Sequence, residues 1–125
     1  MTLLTTLIIL QILFIKHWFV DFYNQTYEEV CKKGIYGNWI GFRHSMKHGI
    51  LTALMLAYFD IKTALILGII DIVVHYHIDW AKNNISHYQM HEPLFWTFIG
   101  LDQLLHYTCY LSYMLYISYS LTGSI

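Results

Sequence analysis

With 125 residues the chain has room for one domain, and a composition 57% hydrophobic but only 12% charged departs from soluble proteins, in which about a quarter of residues are charged. A formal net charge of −1 excludes the basic surface that nucleic-acid binding requires. Cys31 and Cys109 stand alone with no CxxC pair, so neither a structural disulfide nor a zinc ribbon is expected.

A single proline in so apolar a chain favours long uninterrupted helices. The composition therefore predicts an all-α fold: a polytopic membrane four-helix bundle, with residues 1–125 forming one integral-membrane domain. The first span covers about 3–22, close to the roughly 20 residues that cross a bilayer. No basic segment precedes it and no small-x-small site follows, so it reads as a retained helix and not a cleaved signal. Thr26 to Glu29 spell a capping box that opens a short amphipathic surface helix over Tyr27 to Lys33, and the chain turns at Gly34 and Gly37. The second span is expected over 43–59. The Asp60 to Lys62 turn then forces the third span, 63–80, to run antiparallel to it. A polar loop over 81–93 precedes Pro93, which suits a first helical turn, and the fourth span follows over 94–119. Trp18 and Trp39 suit the membrane interface.

The spans carry ionisable residues in a repeated pattern. Asp71, His75 and Asp79 in the third span are four residues apart, and each such step turns a helical side chain by only about 40°, so they form one stripe, with Lys82 on the same face. His17, Asp21 and Gln25 repeat the design at the end of span one, His44 and His48 at the start of span two, and Asp102 and His106 in span four, beside Gln103. Lys32, Lys33, Arg43, Lys47 and Lys82 flank the larger loops while Lys62 lies on the other side. The positive-inside rule then predicts a multi-pass inner (cytoplasmic) membrane protein with cytoplasmic loops and both termini outside. On that topology all the stripes fall between the cytoplasmic surface and about mid-membrane.

A charged group at a span's centre costs roughly 2.5–3.5 kcal/mol to insert. Imidazole and carboxylate together are ligands for first-row metals. His17, Asp21, His44, His48, Asp71, His75, Asp79, Asp102 and His106 are therefore expected to hold one or two divalent ions, zinc first, with iron or manganese as alternatives. Such a site predicts a metal-dependent hydrolase acting from the cytoplasmic side on a lipid-like or phosphorylated substrate, with Arg43 and Lys82 as catalytic cations for an anionic group and Gln25 and Gln103 orienting ligands. A haem or di-iron redox protein is a further reading, and ion translocation another; the polar path for the latter ends near Gln11 and Thr52. Tyr107, Tyr110, Tyr113, Tyr116 and Tyr119 recur every three residues, drift about 60° per step, and read as packing material. The Asn24 and Asn84 sequons would face the cytoplasm, and His87 with His91 reads as a surface pair.

The chain resembles a family of small four-span membrane proteins of phages and bacteria classed as a domain of unknown function. The resemblance rests on His17-x-x-x-Asp21-Phe22-x-x-Gln25, His44-x-x-x-His48, the Asp71/His75/Asp79 span with Lys82, and Asp102-Gln103-x-x-His106. It is looser to inner-membrane metal-dependent hydrolases with a His-rich second span. The resemblance implies phage or bacterial origin, a membrane location and metal binding. It supplies no activity, and leaves open a non-enzymatic phage membrane protein with a structural metal that binds a host membrane partner, perturbs the bilayer or oligomerises.

Overall fold

The computed structural model describes residues 2–122, whose regular structure is entirely helical. Helix α1, Leu3–Trp18, runs on into a π-helical turn, Phe19–Tyr23, closed where the Asn24 amide donates to the Phe19 carbonyl at 2.8 Å. A short helix α2, Tyr27–Lys32, leads to α3, Trp39–Leu56; α4, Ile61–Ile85, and α5, Pro93–Thr122, follow. Two helical runs, Leu3–Tyr23 and Ile61–Ile85, are long and apolar enough by length and composition to cross a membrane. The expected outside position of the termini involves Met1 and residues 123–125, which lie outside the described residues.

Local chemistry sets the boundaries. The expected capping box at Thr26 is complete: its hydroxyl accepts the Glu29 amide at 3.2 Å, and the Glu29 carboxylate accepts the Thr26 amide at 3.0 Å. α3 starts at Trp39, four residues before the expected 43, because Gly37 turns the chain at φ 78° and Asn38 then caps the Ile40 amide at 2.9 Å. It ends at Leu56 and not 59, and Asp60 caps α4 through the Thr63 amide at 2.7 Å. α4 extends past Trp80 to Ile85, taking up the first residues of the expected loop, and Asn84 fastens this extra turn to the Gly34 carbonyl at 2.8 Å.

α3 and α4 pack closest of all the helices, and glycine is the reason. A Cβ on Gly68 would lie 2.7 Å from the Ala53 Cβ and 2.8 Å from the Gly49 carbonyl oxygen, while one on Gly49 would run into Ile72. The contact brings His48 beside His75, one residue from Gly49 and two turns from Gly68. Leu13, Leu56, Leu67, Tyr110, Met114 and Ile117 form an apolar core towards the α3–α4 turn.

The rest of the interior is polar. Among the described residues fourteen polar or charged side chains are buried against ten hydrophobic ones, while leucines and isoleucines of α1, α4 and α5 are widely exposed. That distribution reverses the usual rule for a protein in water.

Candidate metal centre

Each i, i+4 stripe faces inward, so α1, α3, α4 and α5 bring five imidazoles together. His48 and His75 stack with ring centroids 3.6 Å apart; His75 and His106 are at 4.1 Å, and His17 and His106 at 4.6 Å. All five are at most 1% exposed.

Their donor atoms converge in three overlapping groups, each with ligand atoms within 4.8 Å of one another: Asp21 with His44, His48 and His75; His17 with His75 and His106; Asp79 with Asp102 and His106. In the first, one carboxylate oxygen faces three imidazoles. Asp21 Oδ1 lies 3.0 Å from His44 Nε2, 2.9 Å from His48 Nε2 and 3.7 Å from His75 Nε2. Asp79 Oδ2 stands on its far side, 3.5 Å from His44 Nε2 and 3.4 Å from His75 Nε2. The first and second groups share His75, and the second and third share His106.

The donor chemistry fits a metal. Among the described residues both nitrogens of His75, both carboxylate oxygens of Asp79, Asp102 Oδ1 and His106 Nε2 are buried without a hydrogen bond. Leaving such groups unmatched costs about 1–3 kcal/mol each, more when charged. His106 is already set as a ligand: its Nδ1 donates to the Asp102 carbonyl at 2.8 Å, which fixes the tautomer and leaves the Nε2 lone pair facing the cluster. His44 repeats the arrangement more loosely, with Nδ1 3.7 Å from Glu29 Oε2.

Two of the nine expected ligands behave differently. Asp71 is in none of the three groups: its Oδ2 accepts from Thr52 at 2.6 Å and pairs with Lys16 at 3.4 Å, and its Oδ1 accepts from Tyr113 at 3.4 Å. The stripe it shares with His75 faces α1 one turn deeper, where Lys16 meets it first. His17 has partners on both nitrogens. Lys16 donates to the Tyr110 hydroxyl at 2.8 Å, so that hydroxyl donates onward to His17 Nδ1 at 3.1 Å. His17 Nε2–H then faces Gln103 Oε1 at 3.0 Å and Asp21 Oδ2 at 3.1 Å.

The cations also separate. Lys82 is half-buried and lines a cavity of about 160 Å³ with Asp21, Gln25, Lys33, Asp102 and Gln103. Arg43 does not line that cavity; it is 46% exposed and lies 3.5 Å from the Glu29 carboxylate. Gln25 donates instead to the Asp21 carbonyl, bracing the π-helical turn that carries this ligand.

Sequence reasoning missed three buried groups. Lys16, a lone cation in an apolar run, is 3% exposed and joins α1, α3, α4 and α5 through Tyr110, Thr52, Asp71 and the His48 carbonyl. Lys33, expected at the end of the short surface helix, turns inward to Asp79 at 3.3 Å. Burial would lower its pKa, but the carboxylates of Asp79, Asp21 and Asp102 outweigh burial and hold the ammonium above its ordinary range. Glu29 is fully buried and bound by Lys47 at 2.7 Å. Burial pushes its pKa up, but Lys47 and the Thr26 amide prevail and keep it below the usual carboxylate value.

Comparison with curated proteins and with solved structures returned no match. The sequence profile of one family, described as Protein of unknown function (DUF3307), matches residues 9–124. With nearly its whole length inside that match, and the four polar stripes within it, the chain belongs to the DUF3307 family.

Proposed function

We propose that this protein is a membrane-embedded metal-dependent hydrolase that acts on a lipid-like or phosphorylated substrate from the cytoplasmic side. α1, α3, α4 and α5 cross the bilayer, with both termini outside. The reversed distribution of polar and apolar residues supports the membrane reading, and the cations around the α2 and 86–92 loops support the orientation.

One observation carries the metal reading. Both nitrogens of His75, both carboxylate oxygens of Asp79, Asp102 Oδ1 and His106 Nε2 are buried, belong to residues that converge, and make no hydrogen bond among the described residues. A bound divalent ion, zinc first, would lower the pKa of a coordinated water towards neutrality and polarise a phosphoryl or acyl oxygen. The protein's own residues hold and orient. Lys82 offers an ammonium to an anionic substrate group, Lys33 compensates Asp79, and Gln103 steadies His17. Arg43 serves α2 through Glu29.

Elemental analysis and an absorption spectrum of detergent-purified protein, followed by phosphate release from lipid and soluble phosphate esters, test the proposal. Stoichiometric zinc, no colour and metal-dependent release are expected. Bound metal without turnover of any ester would favour the structural-metal alternative, a Soret band would mean haem, and a metal-free protein would overturn the reading. For orientation, a single cysteine at position 38 in a Cys31→Ser, Cys109→Ser background should be labelled only from the cytoplasmic side.

A further inference from the structure

Between α4 and α5 lies an apolar groove of about 490 Å³, walled by Val74, Ile78, Ala81, Leu101 and Leu105. Its residues on α4 run from Val73 to Ile85, about 18 Å at 1.5 Å rise per residue. Lys82 and Asp102 line this groove, and the same two residues line the polar cavity that holds Asp21 and Lys33. Apolar and polar spaces therefore meet at Lys82 and Asp102, and Asp102 Oδ1 is buried with no hydrogen bond among the described residues.

We propose that this pair of cavities binds one amphiphile: a lipid phosphate whose acyl chain lies in the α4–α5 groove and whose phosphate sits between Lys82 and the metal cluster. The headgroup assignment rests on the metal reading above. Asp21, Asp79 and Asp102 against Lys33 and Lys82 leave this end net negative, and one divalent ion reverses the sign, so the phosphate adds to binding only in the metal-loaded protein. The groove itself does not depend on the metal. It lies parallel to the helices and exposes methyl groups along its length, so an alkyl chain fits it and a soluble polar substrate gains nothing there. A phosphate held at Lys82 is also placed beside Asp102 and not beside Arg43, consistent with the Arg43 contact to Glu29.

The test uses metal-loaded, full-length protein in neutral detergent and dodecyl phosphate carrying a diazirine at its chain end. Photolabelling should map to the deep end of the groove near Val73 and Leu105. Unlabelled dodecyl phosphate should compete at least ten-fold better than dodecanol or inorganic phosphate. Ala81→Trp should lower labelling at least ten-fold with metal content unchanged. Lys82→Gln should leave labelling in place but remove the advantage of dodecyl phosphate over dodecanol. Labelling spread over α1 at Leu4, Leu7 and Ile8, or insensitive to both Ala81→Trp and Leu101→Trp, would overturn the groove assignment. Competition by inorganic phosphate alone would mean a soluble phosphate site and overturn it equally. Metal content on the same samples separates the two claims: intact metal with dispersed labelling sinks the groove alone, whereas groove labelling in protein that holds no metal, with no advantage of dodecyl phosphate over dodecanol, sinks the hydrolase reading and the headgroup placement and leaves the groove.

Discussion

Two buried polar regions lie one above the other in this bundle and are built in opposite ways. Around Lys16 and Asp71 the protein answers itself: Lys16 reaches Thr52, Tyr110, Asp71 and the His48 carbonyl, and Asp71 receives Thr52 and Tyr113 as well. One turn nearer the other end, His75, Asp79, Asp102 and His106 crowd together, and although Lys33 pairs with Asp79 and Gln103 donates to Asp102, both His75 nitrogens, both Asp79 oxygens, Asp102 Oδ1 and His106 Nε2 make no hydrogen bond among the described residues. The same helices supply both regions and both are buried, so burial does not explain the difference. A closed network is what a structural ion pair needs, whereas a converging set of open donors is what a ligand needs.

The largest effect should come from the closed network. Lys16→Met leaves Asp71 buried without its cation and is expected to destabilise by about 3–5 kcal/mol, while Lys16→Met with Asp71→Leu should recover much of that loss. Unfolding of detergent-solubilised protein measures it, and metal bound per folded molecule should not change. Removing metal with a chelator should act only on the open set, lowering stability by about 2.7 kcal/mol where the free metal had been a hundredfold above its dissociation constant. His48→Ala and His75→Ala should each abolish that metal-dependent increment, and the double variant should cost far less than the two together, since both remove one site. Strictly additive losses at full metal content would erase the contrast between the regions.

Gly49→Ala should cost about 1–3 kcal/mol, because its methyl group meets Ile72. It should also weaken metal binding by moving His48 away from His75, a coupling visible in metal titrations. Smallest of all is Arg43→Lys. This half-exposed cation contacts Glu29, which Lys47 already satisfies, so stability should change by no more than about 0.5 kcal/mol and metal content and ester turnover should stay near wild type. A large loss of turnover would return Arg43 to the substrate.

The stripes were legible because a four-residue repeat fixes a helix face whatever surrounds it. His44 with His48, His75 with Asp79, and Asp102 with His106 all face inward together, as their spacing requires. Asp71 occupies the same stripe as His75, yet its partner is decided by what α1 and α5 place opposite, which no spacing within α4 encodes. The tyrosine series shows the same limit. Read as packing material throughout, it packs only in part, because its drift around α5 buries Tyr110 and Tyr113 and leaves Tyr116 and Tyr119 exposed. That Tyr110 would link Lys16 to His17 depends on helix register across the bundle. Lys33 was legible as the end of a surface helix, but it turns inward to Asp79, and Gly41 allows the close approach: a Cβ there would lie 2.9 Å from the Lys33 Cα.

The pairing of Lys16 with Asp71 also bears on how the chain is made. Fifty-five residues separate the two. At about 5–20 residues per second the ribosome needs several seconds to deliver α4 after α1. Through that interval an ammonium that costs roughly 2.5–3.5 kcal/mol in the bilayer centre has only Thr52 and a carbonyl of α3 to meet it, and neither neutralises it. As a bilayer span, α1 is therefore a poor free-standing segment. If α1 crosses the bilayer as proposed, its ammonium stays without a counter-charge until α4 supplies Asp71.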